Sequence, residues 1–205
     1  MTKTISRLYD NYTEAQRAVT DLEAAGVPHS DISIVANNSD EWYGNDKTVD
    51  RDHDGKDDRA EGARTGAGIG AGVGGAAGLL TGLGLLAIPG VGPVVAAGWL
   101  VATAVGAAAG AATGGIVGGL TEMGVSKEDA DVYAEGVRRG GTLVSARVAD
   151  GQASQFEAVL DRSAVNIQDR GAAYRKSGWT TFDPAAAPYG AEEVRKERQT
   201  YGDMR

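Results

Sequence analysis

Thr2, Thr4 and Ser6 alternate with Lys3, Ile5 and Arg7 along the first residues, and the β-formers among them predict a strand over 3–9. The period then changes. Ala15, Ala18, Val19, Leu22 and Ala25 recur at helical spacing behind the capping box Thr13-Glu14-Ala15-Gln16, and Gly26 with Pro28 marks the stop. Asp31-Ile32-Ser33-Ile34-Val35-Ala36 reads as a second strand. The same alternation of elements returns far along the chain. Ser126-Lys127-Glu128-Asp129 caps a helix with Ala130, Tyr133, Ala134 and Val137 inward, ended by Gly140-Gly141. Residues 142–148 give the strongest strand pattern, Phe156, Val159 and Leu160 lie on one face of a helix over 152–163, and Val165-Asn166-Ile167 is a short last strand. The two groups add to a small α+β domain, a four-stranded sheet with helices on one face, in which Tyr133 and Phe156 are core residues.

What separates the two groups is unlike either of them. Residues 37–64 are rich in Asn, Asp and Gly and read as a linker. From Thr65 to Thr121 there is no Asp, Glu, Lys, Arg or His. Within and beside this run Gly62, Gly66, Gly70, Gly74, Gly78 and Gly82 fall every fourth residue, and so do Gly98, Ala102, Gly106, Gly110, Gly114 and Gly118. The two series are mirror images, each pair equidistant from Gly90 in the turn Pro89-Gly90-Val91-Gly92-Pro93. Two antiparallel helices meeting along small-residue faces would bring these pairs together, so the run predicts a long Gly/Ala-rich helical hairpin with a glycine-zipper seam. Each interior glycine costs a helix about 1 kcal/mol relative to alanine, a penalty that close backbone approach must offset.

The organisation expected is therefore 1–36, first half of the α+β domain; 37–64, acidic linker; 65–121, hairpin; 122–170, second half; and 171–205, a flexible tail. The tail holds Trp179, Phe182, Pro184 and Pro188 and one helical stretch over 190–199. Ile5-Ser6-Arg7-Leu8-Tyr9-Asp10 leading into Ala15-Gln16-Arg17-Ala18-Val19 carries a family likeness, together with Asp31-Ile32-Ser33-Ile34-Val35 and the stretch Tyr133-Ala134-Glu135-Gly136-Val137-Arg138-Arg139-Gly140-Gly141. Over about 3–36 and 125–169 the chain resembles the bacterial general-stress or heat-induced stress protein domain. The resemblance implies a ferredoxin-like core, stress induction and a non-enzymatic role. The insert resembles the glycine-zipper hairpins of membrane-associated bacterial proteins.

Composition narrows the chemistry. With Cys 0 and only His29 and His53, thiolate zinc sites, iron–sulfur clusters and histidine-centred catalysis are set aside. The net charge of −8 argues against nucleic acid as a partner. Gly70-Ala71-Gly72-Val73-Gly74-Gly75 spells GxGxxG but follows an acidic loop rather than a strand, so no dinucleotide site is expected. Residues 50–61 match an EF-hand loop at its coordinating positions, with Asp50, Asp52, Asp54, the Lys56 carbonyl, Asp58 and Glu61 offered to Ca2+. The alternative is a solvated acidic linker. A helical arm over 65–88 would span roughly 36 Å, against about 30 Å of bilayer hydrocarbon. Arg59, Arg64 and Lys127 flank the run, the first residues carry no export signal, and both termini are expected in the cytoplasm beside the inner membrane. Two partners follow, membrane lipid and further copies of the chain; in the alternative, soluble homo-oligomers bundle their hairpins. Arg138 and Arg139 have two readings, anionic headgroup contacts or a solvated helix end.

Overall fold

The structure, a computed structural model, describes residues 2–43, 83–101 and 115–202. Strand β1, Thr2–Tyr9, leads into helix α1, Tyr12–Ala24. The helix starts earlier than its capping box suggests, because the Asn11 side chain accepts from the Glu14 amide. Its end is as read: Gly26 takes φ +99°, and the Val27 amide returns to the Leu22 carbonyl at 3.0 Å. Strand β2, Ile32–Asn37, follows and is buried along its whole length.

The chain resumes with β3, Gly84–Ile88, and β4, Gly92–Gly98, then helices α2, Gly115–Glu122, and α3, Lys127–Arg138. Strand β5, Thr142–Ala149, is followed by α4, Ala153–Leu160, α5, Ile167–Lys176, and α6, Ala191–Tyr201. The sheet has the order β1-β5-β2-β4-β3, every neighbour antiparallel. Since β1 and β2 both run against β5, they are parallel to each other and α1 is the crossover between them.

The fold is α+β as expected, with two corrections to its sheet. There are five strands rather than four: the flanking segments supply β1, β2 and β5, and the uncharged run supplies β3 and β4. Helices also lie on both faces rather than one. Ile5, Tyr9, Ile34 and Val144 face α1 and α4 through Val19, Leu22, Phe156 and Leu160. Leu8, Val35, Val94 and Leu143 face α2 and α3 through Ile116, Leu120, Tyr133 and Val137. Tyr133 and Phe156 are core residues, each 5% exposed.

The hairpin is the largest departure. Over 84–98 it is a β-hairpin, not a pair of helical arms, though it turns about the same centre, Gly90. Gly84 pairs with Ala96, Leu85 with Val95, Leu86 with Val94, Ala87 with Pro93 and Ile88 with Gly92, each pair equidistant from Gly90. The Val91 amide closes the turn on the Ile88 carbonyl at 3.0 Å, and Gly90 and Gly92 take φ +73° and +100°. Val94, Val95 and Ile88 are β-branched, and a short uncharged apolar stretch does not reveal its period by composition.

Two smaller corrections concern the C-terminal part. Val165–Ile167 forms no strand, because the Asn166 side chain accepts from the Gln168 and Asp169 amides and starts α5. The residues expected as a tail include the rest of α5 and all of α6, the latter on the stretch read as helical.

Candidate functional site

The two arginines at the end of α3 share one fully buried carboxylate. Glu135, one turn earlier, is 0% exposed and accepts from Arg139 Nε at 2.6 Å and Arg138 Nη1 at 3.3 Å. Arg139 extends through Nη1 to Glu197 of α6 at 3.0 Å and lies 4.3 Å over the Tyr174 ring. Burial by itself would lower the Arg139 guanidinium, but the hydrogen bond and charge of Glu135, with Glu197 behind it, hold it above its ordinary value. Tyr174 is pushed up to about 12 by burial, which Arg170 partly opposes.

The other guanidiniums fasten the chain end to the same corner. Arg170 pairs with Asp10 at 2.9 Å and donates to the Tyr201 carbonyl at 3.0 Å. Arg198 donates to Asp40 at 2.6 Å and, through Nε and Nη2, to the Gly140 carbonyl at 3.1 and 2.9 Å. Arg138 Nη2 reaches the Ala187 carbonyl at 3.0 Å. The cleft between these groups, lined by Asp10, Arg139, Arg170, Tyr174, Glu197 and Tyr201, has a volume of about 10 Å³, room for a single water. That is smaller than ligand pockets of about 300–1,000 Å³, and its guanidiniums are paired with carboxylates or carbonyls of the chain. The corner acts as a clamp. It holds α6 on α3, with Val194 fully buried beside Gly140 and with Pro184 and Pro188 seated over Gly90 and Gly92 of the hairpin turn.

Neither reading of Arg138 and Arg139 as headgroup contacts or solvated residues holds, since both turn inward. Phe182 packs on the α3 face of the sheet and Trp179 meets Tyr174 edge-on at 6.0 Å. The acids that complete the clamp, Asp10, Asp40 and Glu197, lie far apart along the chain. No local spacing signals them.

A second cluster sits where the chain leaves the described residues at 43. Asn38 holds both backbone groups of Tyr43, donating to its carbonyl at 3.1 Å and accepting from its amide at 3.0 Å. Trp42 stacks 4.6 Å from Tyr12 and donates to the Asn37 carbonyl at 2.8 Å. Tyr43 Oη donates to the Leu83 carbonyl at 3.2 Å. The chain therefore departs at Tyr43 and re-enters at Leu83 at one place beside the sheet.

Of the twelve small residues predicted to pack helices, Gly98 and Gly118 are described. Gly98 ends β4 with φ +93°, its backbone so close to β2 that a Cβ would stand 2.3 Å from the Ile32 carbonyl oxygen. Gly118 lies in α2. Gly62, Gly66, Gly70, Gly74, Gly78, Gly82, Ala102, Gly106, Gly110 and Gly114 lie outside the described residues, as does the whole candidate calcium loop with Asp50, Asp52, Asp54, Lys56, Asp58 and Glu61. Among the described residues no helix is long and apolar enough to cross a membrane.

No curated protein and no solved structure matches the chain. A family model does match, over the strand–helix–strand that opens the fold and onward to Leu83; of the two stretches that carry the stress-protein likeness, it covers the first. Residues 4–83 are similar to the Heat induced stress protein YflT domain, and the likeness to stress proteins read from the sequence holds there.

Proposed function

We propose that the chain is a non-enzymatic stress-response protein whose α+β domain carries an uncharged, glycine-rich run to the cytoplasmic face of the inner membrane and to other copies of itself. The domain match supplies the stress-response part. The observation that carries the rest is the Tyr43–Leu83 hydrogen bond, which brings together the two points between which the first glycine series lies. Arg59, Arg64 and Lys127 flank the uncharged run and favour the cytoplasmic side.

A soluble assembly is the second reading, favoured by residues 84–98, which lie in the sheet of the domain as a β-hairpin rather than in a helical arm. Flotation of the full chain with liposomes, followed by carbonate extraction of membranes from heat-stressed cells, separates the two. Co-flotation and resistance to carbonate are the expected results. A clear high-speed supernatant with discrete oligomers would give the second reading the field.

A further inference from the structure

The two edges of the sheet are built differently. At one edge β1 carries Lys3 and Arg7, ion-paired to Glu157 at 2.9 Å and to Asp161, and the Val165 amide donates to the Leu8 carbonyl at 2.8 Å. Charged side chains and a covering segment are how natural sheets protect an edge. At the other edge β3 reads Gly84-Leu85-Leu86-Ala87-Ile88, without charge or proline, and among the described residues only β4 pairs with it. Leu85 is 56% exposed, the most exposed large apolar side chain of the described residues.

From this contrast we propose that β3 pairs antiparallel with β3 of a second copy, joining the two sheets across a two-fold axis. The proposal rests on the self-association part of the reading above and names its seat. The sequence of the strand is self-complementary in size. With Leu86 on the axis facing Leu86 of the second copy, Leu85 opposes Ala87 and Gly84 opposes Ile88, a large side chain against a small one on either side. No charge is buried, because the nearest residues on both sides of β3 are uncharged as well. The outer edges of the joined sheet are then the two guarded β1 strands, so assembly stops at two copies.

Sedimentation of the full chain tests this, with Leu85→Lys as the first variant. Leu85 is exposed enough that a lysine leaves the protomer fold unchanged, which circular dichroism verifies. The wild type is expected to sediment as a dimer and Leu85→Lys to weaken it by about tenfold or more. The double variant Leu85→Lys/Ala87→Glu, which sets opposite charges across the axis, should recover the dimer. Because the chain has no cysteine, Leu86→Cys introduces a lone thiol beside its symmetry mate and should form a covalent dimer on mild oxidation, whereas Gln16→Cys on exposed α1 should not. A dimer indifferent to Leu85→Lys leaves self-association standing and removes β3 as its seat. A monomer overturns both, and one whose β3 amides resist hydrogen exchange places another part of the same chain on the edge. Liposome flotation, measured on the same variants, reports separately on the membrane reading.

Discussion

Gly26 and Gly140 end helices in the same way, each with a positive φ, but they differ in what surrounds them. Gly26, at φ +99°, has nothing within 4 Å of where a Cβ would sit. Gly140, at φ +108°, would place its Cβ 2.5 Å from Val194 Cγ1. Gly26→Ala should therefore cost only the conformational strain, about 1–2 kcal/mol. Gly140→Ala should cost distinctly more, on the order of 3 kcal/mol, as strain and overpacking combine. Val194→Ala in the Gly140→Ala background should return part of the difference. Urea unfolding of the three variants beside the wild type measures this; equal losses at the two glycines would mean that α6 does not bear on Gly140. Both glycines were legible in the sequence as helix stops, because that signal is local. The reason Gly140 must lack a side chain was not, since it depends on a residue in another helix. The clamp has the same character: Glu197 reaches Arg139 across a separation of 58 positions.

Elements are joined here by tyrosine hydroxyls as well as by apolar contact. Tyr133 Oη of α3 donates to the Ser6 carbonyl of β1 at 2.7 Å, and Tyr9 Oη of β1 donates to the Leu160 carbonyl of α4 at 2.9 Å. Burial, opposed in part by Arg7, pushes Tyr133 up to about 12 and raises Tyr9 further. An unfolded tyrosine ionises near 10. A hydroxyl whose folded value is raised keeps its full stabilising contribution below pH 10 and loses it as pH climbs toward the folded value. Stability should accordingly fall steeply from about pH 10, with Tyr133 and Tyr174 each contributing up to about 2–3 kcal/mol of the loss by pH 12. Thermal midpoints measured from neutral to alkaline pH test this, and Tyr133→Phe and Tyr174→Phe should each flatten the decline. At this scale the sequence showed α1, β2, α3 and β5 clearly, because periodicity and caps agreed. It showed the centre of the turn at Gly90 but not the kind of element on either side of it. The symmetry of small residues about Gly90 constrains which positions pair and is indifferent to whether helices or strands do the pairing.

At the scale of the whole molecule, the described sheet is divided between the two ends of the chain and its middle. β1, β2 and β5 come from its outer parts, and the hairpin extends the sheet from β2 outward without entering between those strands. Tyr43 and Leu83 are already joined by a hydrogen bond, so their separation can be bridged by a few residues. Replacing 44–82 with a short Gly/Ser linker of about five residues should then leave a folded protein. If residues 44–82 serve only to connect Tyr43 with Leu83, shortening the connection from 39 residues to about five removes closure entropy worth roughly 1.8 kcal/mol by the logarithmic law, and the variant should be at least as stable as the parent. Membrane flotation, if it depends on the first glycine series, should be lost in the same variant. Circular dichroism and urea unfolding read the first outcome, and flotation the second. A variant that fails to fold would show that residues 44–82 contribute to the core. One that folds and still floats would move the membrane contact to the rest of the uncharged run, from Leu83 to Thr121.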